Sequence, residues 1–144
     1  MTIKHLVLSG GGPKLLSHLG VLDKLISENF INIDDIENIF ATSAGFIMAI
    51  FLVIRVDFKD LKNYSINKPW DKFIEKNLNI LDLNKEKGLL NHNFVIDMVE
   101  TFLKFKEIRT EITLKELYDL TSINIYFYTT RLNNFSLVEI SHNN

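Results

Sequence analysis

The sequence contains no cysteine, only two prolines and no excess of positive charge. Without cysteine it can form no disulfide bond, no thiolate nucleophile and no cysteine-ligated metal site. Lysine and arginine total 16 against 18 aspartates and glutamates, which gives a formal net charge of -2. No basic surface that could neutralise a phosphate backbone is therefore indicated, and we expect no nucleic-acid partner. A reducing, cytoplasmic location is the expected one.

Long apolar runs are also lacking. The longest, residues 44–54, is closed by Arg55 and Asp57 and is well short of the ~20 residues that a membrane-spanning helix needs. It predicts a buried helix. The apolar stretch at residues 1–8 is too short for a signal peptide and leads directly into glycines. At 144 residues, with 47% hydrophobic and 24% charged residues, the chain predicts one globular domain with a hydrophobic core.

The first half of the chain alternates strand and helix patterns. Residues 3–8 and 36–40 predict two strands, the first of them buried. Leucines at helical spacing from Leu15 to Ile26 predict a helix that ends near Glu28 and Asn29. The polar segment 57–87 predicts short helices and loops covering one edge of the sheet.

The second half predicts two helices and a hairpin. Residues 93–106 predict a helix with a buried face, and residues 113–120 predict another, with Thr113 and Glu116 spaced as a capping box. The buried face carries Phe94, Met98, Phe102 and Phe105. Residues 123–130 and 136–140 predict two strands joined by a turn at Asn133 and Asn134. The order of elements favours a largely parallel sheet wrapped by helices.

Three consecutive glycines, Gly10, Gly11 and Gly12, separate the first strand from the first helix. Glycines there leave backbone amides uncovered beside a helix N-terminus, which favours binding of an anion such as a phosphate or an oxyanion. A dinucleotide-binding motif would need a third glycine where Leu15 stands, and a phosphate-binding P-loop would need Gly-Lys-Ser or Gly-Lys-Thr around Lys14. The spacing satisfies neither nucleotide motif.

The second turn, Ala41-Thr42-Ser43-Ala44-Gly45, is a relative of the Gly-x-Ser-x-Gly elbow that presents a nucleophilic serine between a strand and a helix. Adjacent parallel strands would bring this turn and the glycines to one edge of the sheet. Two structural alternatives stay open: the glycines could form only a tight turn, and Ser43 could be a helix N-cap.

These residues resemble patatin-like phospholipases. The resemblance is carried by Gly10-Gly11-Gly12-Pro13-Lys14, His18-Leu19-Gly20-Val21-Leu22 and Thr42-Ser43-Ala44-Gly45, with support from Gly88-Leu89-Leu90, from residues 112–118 and from Thr129 and Thr130. It implies a three-layer α/β/α fold with a mostly parallel central sheet, and hydrolysis of phospholipids or other acyl esters at a transient membrane contact. The implied machinery is a Ser/Asp dyad without a catalytic histidine, calcium or any other cofactor.

By the same resemblance, Ser43 is the catalytic nucleophile. Gly10, Gly11 and Gly12, together with Lys14, form the oxyanion loop, and Ala41, Thr42, Ala44 and Gly45 form the nucleophile elbow. Two positions depart from the family pattern, because the family has glycine where Leu15 and Ala41 stand.

The dyad aspartate of the family lies in an Asp-Gly-Gly or Asp-Gly-Ala motif downstream of the hairpin, and no aspartate of this chain is followed by glycine. The resemblance therefore implies that residues 1–144 are the N-terminal portion of such a domain, which is incomplete, and that this polypeptide alone hydrolyses little. A non-catalytic relative that binds lipid or protein is the alternative. Nucleotide binding at the glycines is a third hypothesis.

The remaining candidates favour structural roles. His5, His18, His92 and His142 lack partners at the spacing that metal ligation or a catalytic triad requires. Trp70 follows Pro69 and is interpreted as a packed loop aromatic in preference to a membrane anchor.

Overall fold

The computed structural model describes residues 2–78 and 93–143. Four strands and six helices form in this part of the chain. The strands are β1 (His5–Leu8), β2 (Asn38–Ala41), β3 (Asn124–Arg131) and β4 (Ser136–Ile140). The helices are α1 (Leu15–Ser27), α2 (Ala44–Val53), α3 (Phe58–Asn67), α4 (Trp70–Asn77), α5 (Asn93–Phe105) and α6 (Leu114–Thr121), with short 3-10 turns at Gly12–Lys14 and Ile33–Asp35. Gly88-Leu89-Leu90 and His92 lie outside the described residues.

The four strands form one sheet in the order β1-β2-β3-β4. The first three strands are parallel, and β4 runs antiparallel to β3. Leu8 pairs with Ala41, and Ala41 pairs with Phe127, so the carboxyl ends of β1 and β2 are level with the middle of β3. The α/β class and the mostly parallel sheet predicted from the sequence are confirmed.

One face of the sheet is covered by helices. Helix α2 lies directly on β1 and β2 and also contacts α1 and α5, which explains why nearly all of its residues are apolar. Beneath it the strands contribute alternate buried side chains: Leu6, Leu8, Ile39, Ala41 and Ile125. The two parallel connections both advance in the same direction along the sheet, and connections of the usual right-handed type then place their helices on the same face.

The opposite face, called here the open face, is formed by the other alternate residues and is not covered by described residues. Val7 is 79% exposed and Leu137 73% exposed, while the rings of Phe40 and Tyr126 stack at 4.9 Å between centroids. The prediction that β1 is a buried strand therefore holds only for the face that carries Leu6 and Leu8, and it is wrong for Val7 on the other face.

The helices after Asp57 form an outer layer. Helix α3 packs mainly against α1, and α4 packs mainly against α5, so their principal contacts are with other helices; residues 79–87 of the segment predicted to cover an edge of the sheet lie outside the described residues. The two helices find apolar partners on other helices, as in the edge-to-face contact of Tyr64 with Phe102. Trp70 is a packed aromatic, as expected, because its indole Nε1 donates to Ser65 O at 2.8 Å and its ring contacts Phe73.

The two later helices begin as predicted. Thr113 caps α6, its hydroxyl accepting from the Glu116 amide, and the Glu116 carboxylate accepts from the Thr113 amide at 2.9 Å. In α5, Met98 and Phe102 are buried, but Phe105 is 67% exposed, contrary to prediction. Phe105 is the last residue of the helix, one turn past Phe102, where the helix leaves the packed core.

Candidate active site

The glycines and the serine turn meet at the carboxyl ends of β1 and β2. A methyl group added at Gly10 would lie 3.3 Å from Ser43 Cβ and 3.5 Å from Thr42 Cγ2. The adjacency expected from two neighbouring parallel strands is confirmed, since Leu8 and Ala41 are register partners. Gly10, Gly11 and Gly12 are called the glycine loop below, and residues 42–45 the serine turn.

Ser43 has a backbone conformation that disfavours side chains. Its φ is 49° and its ψ is -123°, and α2 begins at the next residue. Such a conformation costs on the order of 1–3 kcal/mol for a residue with a Cβ and persists only where the surroundings enforce it. The Ser43 hydroxyl makes no capping hydrogen bond to α2, and the residue is exposed. Ser43 therefore occupies the N-cap position of α2 without capping it through its hydroxyl, and the exposed residue lies at the positive end of the helix.

Hydrogen bonds and a close contact enforce this turn. The Gly45 amide donates to Thr42 O, and the Phe46 amide donates to Ser43 O, both at 2.9 Å. A methyl group at Gly45 would lie 2.1 Å from Leu8 O, closer than any real contact. Only glycine allows α2 to start so near β1, which explains why the small residue is needed at this position.

Thr42 connects the serine turn to both neighbouring strands. Its amide donates to Leu8 O of β1 at 3.2 Å, and its Oγ1 donates to Tyr128 O of β3 at 2.8 Å. Ala41, just before it, is only 3% exposed, and Ala44, just after Ser43, is 5% exposed. The site is thus built on three strands and the first turn of a buried helix.

The glycine loop continues into a single 3-10 turn. The Lys14 amide donates to Gly11 O at 3.0 Å, and Gly12 has a φ of 51° that glycine adopts without strain. Within residues 2–78 and 93–143, the amides of Gly10, Gly11 and Gly12 donate no hydrogen bond. The exposed Lys14 stands at the end of this turn.

Leu15 does not disturb the loop. It has ordinary helical dihedral angles, φ -45° and ψ -38°, and its side chain is 8% exposed in the hydrophobic core. The backbone therefore needs no glycine here, although the family pattern has one.

His18, for which the sequence predicts a structural role, lies beneath the glycine loop. Its Cε1 is 4.0 Å from the position of a methyl group at Gly11, and its buried Nδ1 has no hydrogen-bond partner among the described residues. Its position in the sequence could have indicated this contact, because His18 is one turn into α1 and side chains of a helix tilt back toward the residues before it. No group of three or more metal-ligating side chains occurs among residues 2–78 and 93–143.

A sequence profile described as patatin-like phospholipase matches residues 6–141, nearly the whole chain. The chain belongs to the patatin-like phospholipase family. Members of this family are lipid acyl hydrolases. Comparison with curated proteins gives no significant match. None of the helices described in this patatin-like chain is long and apolar enough to cross a membrane.

Two solved structures share the patatin-like fold. VipD from Legionella pneumophila matches with a TM-score of 0.56 and 18% identity over 97% of this chain and 39% of VipD. The type III effector protein ExoU matches with a TM-score of 0.57 and 19% identity over 97% of this chain and 36% of ExoU. This patatin-like chain therefore spans less than half the length of either.

Proposed function

We propose that this chain carries the nucleophile and the oxyanion loop of a lipid acyl hydrolase that acts on phospholipids or other acyl esters. The supporting observation is the strained, exposed Ser43 directly beside Gly10. Strain at a residue with an accessible hydroxyl is typical of a nucleophile held ready for attack. A cytoplasmic location with peripheral membrane contact stays a prediction.

The glycine loop supplies the electrostatic part of the proposed chemistry. Attack of Ser43 Oγ on an ester carbonyl places negative charge on the carbonyl oxygen. Amides of Gly10, Gly11 and Gly12 that donate to no described group are suited to stabilise that charge, with the N-terminus of α2 beside them and Lys14 at the end of the loop. Loss of one such donor typically lowers kcat by about 100- to 1,000-fold.

The reaction proceeds in two steps. In the first, a bond forms between Ser43 Oγ and the acyl carbon, the ester C–O bond breaks, and the serine proton passes through a base to the departing alkoxide. In the second, water cleaves the acyl-serine and restores the hydroxyl. No described side chain acts as this base, because Ser43 Oγ has no hydrogen-bond partner among residues 2–78 and 93–143.

We propose that an aspartate from further chain or from an assembly supplies this base. A serine without its base is weakly nucleophilic, and removal of one catalytic group lowers the rate by several powers of ten. The 144-residue polypeptide alone is expected to turn over acyl esters slowly while retaining the geometry of its serine turn.

A fluorophosphonate probe and a fluorogenic acyl ester test the proposal on the longest natural product of the gene. We expect Ser43 to be labelled and Ser43→Ala to abolish both labelling and turnover. Ser27→Ala is the matched control, because Ser27 lies at the opposite end of α1, about 20 Å of helix away from the loop. Labelling that persists in Ser43→Ala, or turnover unchanged by it, would refute the assignment.

The missing base partner also favours a second candidate, a non-catalytic relative that binds lipid or protein through the same loop. In that case Ser43→Ala leaves lipid binding unchanged, and no acyl ester is hydrolysed even by the longest product. The two candidates thus differ in one measured quantity, the Ser43-dependent release of fatty acid.

A further inference from the structure

The β3–β4 hairpin extends beyond the candidate site at the end of the sheet where β1 and β2 finish. Phe127 pairs with Ala41, the last residue of β2, but β3 continues to Arg131 before β4 returns from Ser136. Four further residues of strand correspond to about 13 Å. Residues 131–137, called here the hairpin tip, therefore lie beyond the level of the serine turn.

The hairpin tip exposes large apolar side chains. Leu132 is 61% exposed, Phe135 81% and Leu137 73%. The turn is nevertheless ordered, because Asn134 Oδ1 accepts from the Ser136 amide at 3.2 Å and from the Ser136 hydroxyl at 2.7 Å. Phe135 has a φ of 52°, which is uncommon for a bulky residue. The turn thus holds an aromatic side chain exposed to solvent and on a residue with an unfavourable backbone conformation. Both costs are expected where a binding partner covers the side chain.

The charge of the hairpin tip is positive. From residue 129 to residue 138 the only charged side chain is Arg131. The nearest carboxylate along the hairpin, Glu139, lies opposite Tyr128 and accepts a hydrogen bond from its hydroxyl at 2.6 Å. Lys14, at the end of the glycine loop, is a second cation on this side of the sheet.

The shape of the hairpin tip favours a lipid surface over a protein. A stable protein interface buries roughly 1,000 Å² or more, which a convex turn with three apolar side chains does not provide. A bilayer interface accepts a projecting apolar tip, and basic residues beside it are attracted to anionic head groups.

The hairpin is connected to the nucleophile. The Thr42 hydroxyl donates to Tyr128 O at 2.8 Å, and the rings of Phe46 and Phe127 stack with their centroids 4.4 Å apart. The serine turn and β3 are therefore held in a fixed relation, with Ser43 and the tip at the same end of the sheet.

We propose that the hairpin tip docks the protein on an anionic phospholipid surface and so presents Ser43 to its substrate. This inference rests on the proposed function. The partner is a bilayer, with Leu132 and Phe135 entering the interfacial region and Arg131 pairing with anionic head groups.

Co-sedimentation with vesicles tests the docking independently of hydrolysis, in a Ser43→Ala background. One set of vesicles contains phosphatidylcholine alone and the other phosphatidylcholine mixed with phosphatidylserine. We expect the double variant Leu132→Asn, Phe135→Asn to lower the partition coefficient on the mixed vesicles at least about tenfold. Asparagine is chosen because it tolerates the positive φ at position 135. Arg131→Gln should lower binding about fivefold on mixed vesicles only.

Ile66→Gln is the matched control, because Ile66 is 79% exposed on α3, outside the hairpin. It should bind like the parent. Phe135→Trp in a Trp70→Phe background gives a second readout, in which the emission of the new tryptophan shifts to shorter wavelength when mixed vesicles are added.

The docking proposal is refuted if the parent does not sediment with mixed vesicles, if the hairpin variants bind like the parent, or if the tryptophan emission of bound protein does not shift. A change in oligomeric state without a change in vesicle binding would assign the tip to a protein contact and also refute it. Vesicle binding by the Ser43→Ala protein, together with no fluorophosphonate labelling of the protein that retains Ser43, would instead leave docking in place and reject the hydrolase proposal.

Discussion

The contact between Gly45 and Leu8 allows a quantitative test of how the serine turn is held. A methyl group at position 45 would lie 2.1 Å from Leu8 O, 2.6 Å from Leu8 C and 2.9 Å from Leu8 Cβ. Close contacts between carbon and carbonyl oxygen are about 3.3 Å, so Gly45→Ala must move β1 and α2 apart by about 1 Å. The atoms concerned are backbone atoms, which cannot rotate away as a side chain could.

Two effects of Gly45→Ala oppose each other. Alanine is intrinsically better than glycine inside a helix by about 1 kcal/mol, which would stabilise α2. Overpacking a core costs about 1–3 kcal/mol, and more where backbone must move. The collision with Leu8 involves backbone atoms and falls at the upper end of this range, so it exceeds the gain in helix propensity, and we expect the free energy of unfolding to fall by about 2 kcal/mol in total.

Urea unfolding followed by circular dichroism measures this change. Gly20→Ala is the matched control, because Gly20 lies within α1 and a methyl group there meets no atom within 4 Å. We expect Gly20→Ala to raise the free energy of unfolding by about 0.5–1 kcal/mol. If Gly45→Ala were as stable as Gly20→Ala, β1 and α2 would not approach as described, and the explanation of the turn would be wrong.

Three other substitutions probe the site and the fold. Ser43→Gly removes the strain at a φ of 49°. In urea unfolding, its free energy of unfolding should therefore exceed that of Ser43→Ala by about 1 kcal/mol. Equal free energies of unfolding would show that the turn is unstrained. Leu15→Gly introduces the family's glycine but empties a core position. We expect its free energy of unfolding to fall by about 3–5 kcal/mol in the same assay. An unchanged free energy of unfolding would place Leu15 outside the core. Hydrogen bonds from the Thr113 amide and hydroxyl lower the pKa of Glu116 below its ordinary value of 4.5. The stability from this cap is present above that value and is lost on acidification, so Glu116→Gln should show a shallower fall in stability below pH 4.5 than the parent, and identical pH profiles would count against the cap.

The elements predicted correctly are those whose signals are local. Leucine spacing from Leu15 onward fixes α1, and Thr113 with Glu116 fixes the start of α6, because both patterns act within a turn or two of helix. The errors concern what covers a residue. Val7 and Phe105 have the residue type of a core position, but their burial depends on elements distant in sequence.

The same division applies to the candidate site. The meeting of Gly10 and Ser43 follows from the order of two parallel strands and could be predicted. The bond from Thr42 to Tyr128 could not, since it joins residues 86 positions apart and depends on the register of β3. The position of His18 under the glycine loop depends on the direction in which α1 leaves that loop.

The open face of the sheet has a topological consequence. A further parallel strand beside β1 would need a crossover that moves across the sheet in the direction opposite to the β1-β2-β3 progression. If that crossover is right-handed, its helix lies on the face that carries Val7. The strand order would then reverse at β1. Such reversal points leave a crevice at the carboxyl ends of the strands, which is where α/β proteins bind their ligands. The glycine loop, which begins two residues after Leu8, would form the wall of that crevice.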